Sequence, residues 1–142
     1  MRRLVQAAQL DLRCHCEVGE GVIHLRLAGN DSGLVLRDNA RLLYGLNHLV
    51  GQAFFKRTHG QYSFVVDCND YRATRVLELE LLARKAAEKV AFSGKPFSLQ
   101  PMPATERRVI HLALADEAGV VTESEGNGRH RRVVILPASE VR

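Results

Sequence analysis

Residues 71–92 carry apolar side chains around most of a helix's circumference, and this constrains how the rest of the chain can fold. Val76, Leu77, Leu79, Leu81, Leu82, Ala83, Ala86, Ala87 and Val90 cover more than one stripe, so a helix here is expected to bury two faces. At 1.5 Å per residue it spans about 33 Å. Ser93-Gly94-Lys95-Pro96 ends it. A helix of that length in mid-sequence is expected to pack against both halves of the chain, as a rigid joint. Its remaining positions, Arg72, Arg75, Arg84, Lys85 and Lys89, read either as a solvated face or as part of an electrostatic track.

Ahead of it the pattern changes to period two. Leu10, Leu12, Cys14, Cys16 and Val18 alternate with Asp11, Arg13, His15 and Glu17, as in a half-buried strand. On this parity both thiols read as small apolar core residues. Gly19-Glu20-Gly21 supplies a turn, and Ile23, Leu25 and Leu27 repeat the alternation, so an antiparallel hairpin is expected. Gly29-Asn30-Asp31-Ser32-Gly33 breaks the pattern. A helix is expected over 38–57, with Leu42, Leu43, Leu46, Leu49, Val50, Ala53 and Phe54 as its apolar stripe. Tyr62, Phe64, Val66 and Cys68 then form a third strand.

After the long helix, Phe97, Leu99 and Met102 predict a short strand. Pro103 suits the first position of a second helix, and Glu106 complements the positive end of its dipole. Ile110, Ala113 and Leu114 share one face of that helix, while Arg107 and His111 stand at i, i+4 on another, with Arg108 three before the histidine. Two guanidinium groups and an imidazole are thus expected on one solvent-facing side. That side is either a solvated helix surface or a phosphate-binding one, since arginine's planar fork of donors matches phosphate oxygens. Val120 to Glu125 and Arg131 to Leu136 predict a hairpin around a tight Gly126-Asn127-Gly128 turn. Arg129, His130, Arg131 and Arg132 lie at or just past that turn, either joining Arg107 and His111 or blunting a sheet edge.

The bulk composition narrows the function classes. With 46% hydrophobic and 25% charged residues the chain is globular rather than disordered. Its net charge of +4 is modest, and the excess sits in residues 72–102, so arrangement rather than net charge has to argue for a polyanionic partner. No run approaches the ~18 apolar residues of a membrane span, and Met1-Arg2-Arg3 begins no secretory segment. Three cysteines form no even disulfide framework and fit a reducing, cytoplasmic compartment. Cys14-His15-Cys16 lacks the four ligands of a structural zinc site. Asp67/Asp70 and Asp116/Glu117 are the close carboxylate pairs, and each sits at an element end where capping explains it. The expectation is a protein without enzyme activity, metal or cofactor.

Arg107-x-x-x-His111, with Pro101-Met-Pro-Ala-Thr-Glu-Arg before it and Thr122-Glu-Ser-Glu-Gly-Asn-Gly128 after it, closely resembles the R3H domain, a small single-stranded nucleic-acid-binding module. The surrounding wording resembles the bacterial Jag (SpoIIIJ-associated, KhpB) family, which joins a KH domain to an R3H domain. The likeness covers residues 10–136 and is strong from Val65 onward. It implies an α+β fold: a small KH-like β-β-α-β unit at 1–70, then an R3H-like unit of two helices and three short strands at 71–142, joined through the long shared helix. It also implies single-stranded RNA, or DNA, as the partner, with Arg107, Arg108, His111, Ser124, Gly126, Gly128, Arg129 and Arg131 as the binding set. In that set Arg107 grips a phosphate, His111 donates to a phosphate or stacks on a base, and the glycine turn offers main-chain N–H groups.

The sequence departs from the family in its first half. KH domains hold the nucleic-acid backbone with a Gly-x-x-Gly loop, and Arg37-Asp38-Asn39-Ala40 stands where that loop belongs. Without its glycines this half is expected to grip RNA poorly and to serve instead as a scaffold, or to pair with itself or with a KH-domain partner. The alternative function is therefore a protein-interaction adaptor connected with bacterial envelope growth and division. The family's separate N-terminal Jag domain has no counterpart in this sequence.

Overall fold

The computed structural model describes residues 5, 6 and 8–140; residues 1–3, read above for a secretory segment, lie outside the described residues. The chain divides into two compact units, Met1–Arg72 and Ala73–Arg142, each with its own apolar core.

In the first unit β1 (Arg13–Val18) pairs antiparallel with β2 (Val22–Ala28), placing Cys14 opposite Leu27 and Val18 opposite Ile23. β2 runs parallel to β3 (Ser63–Cys68), giving a sheet of order β1-β2-β3. The crossover between the parallel strands is α1 (Ser32–Phe55), whose Val35, Ala40, Leu43, Leu46 and Val50 pack on Leu25, Leu27, Val66 and Cys68. Asn47 fastens helix to sheet: its side-chain oxygen accepts from the Val66 N–H at 2.8 Å and from Arg72 at 3.3 Å.

Three expectations for this unit are corrected. The chain is already helical over 32–36, ahead of the expected helix, where the Ser32 hydroxyl turns back onto Gly29, donating to its carbonyl at 2.6 Å and accepting from its N–H at 3.1 Å. The Gly/Asn/Asp/Ser run that reads as a breaker is thus a helix entry. The helix is also interrupted: Arg37 is extended, and Asp38, Asn39 and Ala40 have φ of 53°, 57° and 56° before the helix resumes. The third correction concerns the thiols. Cys14 packs half-buried against the core, whereas Cys16, further along the edge strand β1, is exposed.

The second unit contains most of α2 (Tyr71–Ser93), then β4 (Phe97–Ser98), α3 (Ala104–Ala113), β5 (Val120–Glu125) and β6 (Arg132–Pro137), with sheet order β4-β6-β5. Leu79, Ala83, Ala86, Ala87 and Val90 of α2 meet Ile110 and Leu114 from α3 and its end, and Val120, Val133 and Ile135 from the sheet. Only this stripe of α2 is buried. Leu77 is 67% exposed, Leu81 57% and Phe92 97%, which corrects the expectation of two buried faces. The described residues contain no helix long and apolar enough to cross a membrane.

Arg75 is likewise no simple solvated residue. Its guanidinium donates to Glu106 Oε2 at 3.1 and 3.3 Å, and Glu106, only 3% exposed, is the buried first-turn acid of α3. The pair ties the two helices of the unit together where neither charge could be left alone cheaply.

Candidate nucleic-acid interface

The site grows from the register of α3 against β5. Ile110 and Leu114 anchor α3 in the core, which carries Arg107 and His111 along the border of that buried stripe. Strand alternation gives β5 one face with Val120, Thr122 and Ser124 and another with Glu123 and Glu125. The hydroxyl face is the one that meets the helix. Arg107 Nη1 donates to Ser124 Oγ at 3.1 Å, His111 Nε2 lies 2.9 Å from the same oxygen, and His111 Nδ1 lies 2.7 Å from Thr122 Oγ1. A guanidinium, an imidazole and two hydroxyls thus form one half-buried hydrogen-bonded cluster.

Its electrostatics follow from its neighbours. Among the described residues no carboxylate pairs with Arg107, while nearby Arg75 is taken up by Glu106 and Glu78. The buried Nε of Arg107 has no acceptor there either, the kind of unmet donor that normally costs about 1–3 kcal/mol. Burial lowers the pKa of His111 below its ordinary value, and the adjacent Arg107 charge lowers it further. His111 is therefore neutral near pH 7, and any titration falls lower than an exposed histidine's.

The structure brings together Arg107, His111 and Ser124 of the sequence-derived set. It corrects the expected orientation of the first two: they turn toward β5 and are half-buried, because the helix face beside Ile110 is roofed by the strand. Arg108, one residue on, is exposed and makes no bond to this cluster. Thr122 was missed as a site residue; its shared parity with Ser124, two positions on, was the available signal.

The hairpin tip differs from a tight turn. The connection from β5 to β6 takes in a single turn of 3₁₀ helix at Gly128–His130, closed by His130 N–H to Asn127 C=O at 3.1 Å. Gly126 has φ +83°, and a Cβ there would stand 3.0 Å from the His130 carbonyl oxygen, so the tip needs glycine at this position. Gly128 also has positive φ, 53°, but opens onto empty space. Arg129 and Arg131 are exposed at the tip. Arg131 follows the parity of Val133, which is paired with Ser124, whereas Arg132 is engaged with Glu125 at 3.8 Å.

In the first unit the Arg37-Asp38-Asn39-Ala40 segment forms the loop that interrupts α1. Arg37, Asp38 and Asn39 are exposed, and Ala40 is buried.

Comparison with known proteins agrees with this geometry. Residues 77–137 match the R3H domain family. Over 126 residues the chain is 32% identical to a protein named RNA-binding protein KhpB from Clostridium symbiosum, covering 89% of this chain and 57% of that one. Proteins of the same name from Lactiplantibacillus plantarum and Bacillus subtilis are 33% identical over 95% of this chain and 34% identical over 80% of it. The chain spans about half the length of these relatives, from 41% to 57%. Residues 77–137 thus resemble an R3H domain, and the likeness to the KhpB proteins extends through the unit that precedes it.

Proposed function

We propose that the chain binds single-stranded nucleic acid, RNA in particular, through the Arg107–His111–Ser124 cluster, and that it does so without catalysis. The observation that carries this is the convergence of Arg107 and His111 on Ser124 with no carboxylate among the described residues to neutralise the guanidinium. Arg129 and Arg131 extend the cationic surface at the hairpin tip, and the relatives' name, RNA-binding protein, supports RNA as the partner. With no Trp and most aromatic rings in or against the cores, base stacking contributes little, so phosphate contacts dominate the affinity.

Fluorescence anisotropy on short single-stranded RNA and DNA over a salt series tests this. The expected log–log slope is about −0.7 per phosphate neutralised. A salt-independent signal, or none at low salt, would sink the reading.

A second reading has one specific observation in its favour. Leu34, Leu42, Leu46 and Leu49 line an open groove of about 380 Å³ beside Arg37 and Arg41, a surface suited to a KH-type protein partner or a second copy. In that case the first unit acts as an adaptor. Gel filtration without nucleic acid and pull-down after nuclease treatment separate the readings, since an adaptor keeps its partner after the RNA is gone.

A further inference from the structure

Both nitrogens of the His111 ring are already occupied by protein hydroxyls, Nδ1 by Thr122 and Nε2 by Ser124. A ring so occupied has no nitrogen left for a nucleic-acid phosphate. The question is therefore what each hydroxyl does with its own hydrogen.

Ser124 Oγ has two lone pairs and one hydrogen. Arg107 Nη1 can only donate, so it takes one lone pair. If His111 carries its proton on Nδ1, then Nδ1–H donates to Thr122, and Ser124 must spend its hydrogen on Nε2. Its remaining lone pair would repel a phosphate oxygen. If His111 carries its proton on Nε2, then Thr122 donates to Nδ1, and Nε2–H fills the second lone pair of Ser124. The Ser124 hydrogen is then left over. Among the described residues no carbonyl or carboxylate is bonded to Ser124, and Glu123 and Glu125 lie on the other face of β5. A hydroxyl that accepts from both a guanidinium and an imidazole is polarised towards donation. Phosphate, which only accepts, selects this second arrangement.

We propose that the Ser124 hydroxyl is the phosphate-facing donor of the site, and that His111 and Thr122 are positioning residues that free its hydrogen by holding the ring in the Nε2–H form. The assignment rests on the nucleic-acid reading above and gives His111 an indirect part in it. Thr122 takes up the Nδ1 lone pair, Arg107 and His111 saturate the serine oxygen, and Ser124 meets the ligand. Contact with a phosphate keeps a donor on Nε2 and so stabilises the same ring form.

Nitrogen-15 NMR of histidine-labelled full-length protein reads the tautomer, and anisotropy with a short fluorescein-labelled oligouridylate reads binding. The oligouridylate-bound protein should show His111 protonated on Nε2, and Thr122→Val, which removes the partner of Nδ1 while keeping the shape, should alter the ring's nitrogen shifts and weaken binding. Ser124→Ala should lose roughly tenfold or more in affinity, as expected for a hydrogen bond to a charged group, whereas Ser124→Thr, which restores a hydroxyl, should recover most of it. An Nδ1–H tautomer in the oligouridylate-bound wild type, or Ser124→Ala binding as well as wild type while Arg107→Ala is weakened, overturns the proposal and leaves the nucleic-acid reading intact. Failure of the wild type to bind oligouridylate or any other single strand overturns both.

Discussion

Arg107→Ala removes the one guanidinium of the cluster and should weaken RNA binding roughly 10- to 100-fold, the worth of a hydrogen bond to a charged group; anisotropy at low salt checks this. The histidine adds a pH dependence whose sign is fixed. Its folded-state pKa is lowered, first by burial and then by Arg107, so the unfolded chain takes up the proton at a higher pH than the folded one. Its neutral form, faced by Arg107 from its own helix and by Thr122 and Ser124 from β5, favours the fold fully above the unfolded value of about 6.5. That contribution is lost as pH falls through 6.5 toward the lower folded value. Urea unfolding on either side of this window should show a loss of stability on acidification that is smaller in His111→Gln. At this scale the sequence revealed Arg107 and His111, whose spacing is a local property. It did not reveal their inward turn or Thr122, because the packing of α3 on β5 joins residues more than ten positions apart.

Elements divide in the same way. The first sheet was legible from alternation, the β5–β6 hairpin from its glycine turn, and α3 from its proline entry and apolar spacing. The first turns of α1 were not, because Leu34-Val35-Leu36 is too short a run to show a period and Ser32 is recognisable as a helix entry only through its bonds to Gly29. The interrupting loop holds three successive non-glycine residues in the left-handed region, each costing about 1–2 kcal/mol. Asp38→Gly and Asn39→Gly, both exposed, should each raise the urea midpoint by relieving that cost, less the entropy glycine adds to the unfolded chain. Elsewhere, Arg75 of α2 read as part of a solvated face, yet it is bonded to buried Glu106. Breaking that pair with Arg75→Ala should destabilise the second unit by ~3 kcal/mol, since a buried carboxylate would lose its counter-charge; thermal unfolding measures it.

For the molecule as a whole, two separate cores predict two units able to fold alone. A fragment of residues 71–142 should give a cooperative thermal transition and keep most of the salt-dependent RNA binding; binding that disappears while the fragment stays folded would place the interface partly in the first unit. Exposed Leu77, Leu81 and Phe92 were not foreseen, because composition cannot show which side of a helix lacks a neighbour. The distribution of sulfur offers a practical consequence. All three cysteines lie in the first unit, with Cys16 on the open strand edge, Cys14 half-covered and Cys68 enclosed. A maleimide dye therefore attaches first at Cys16 and later at Cys68, and the delay between the two clocks the breathing of one unit while the other contributes no signal.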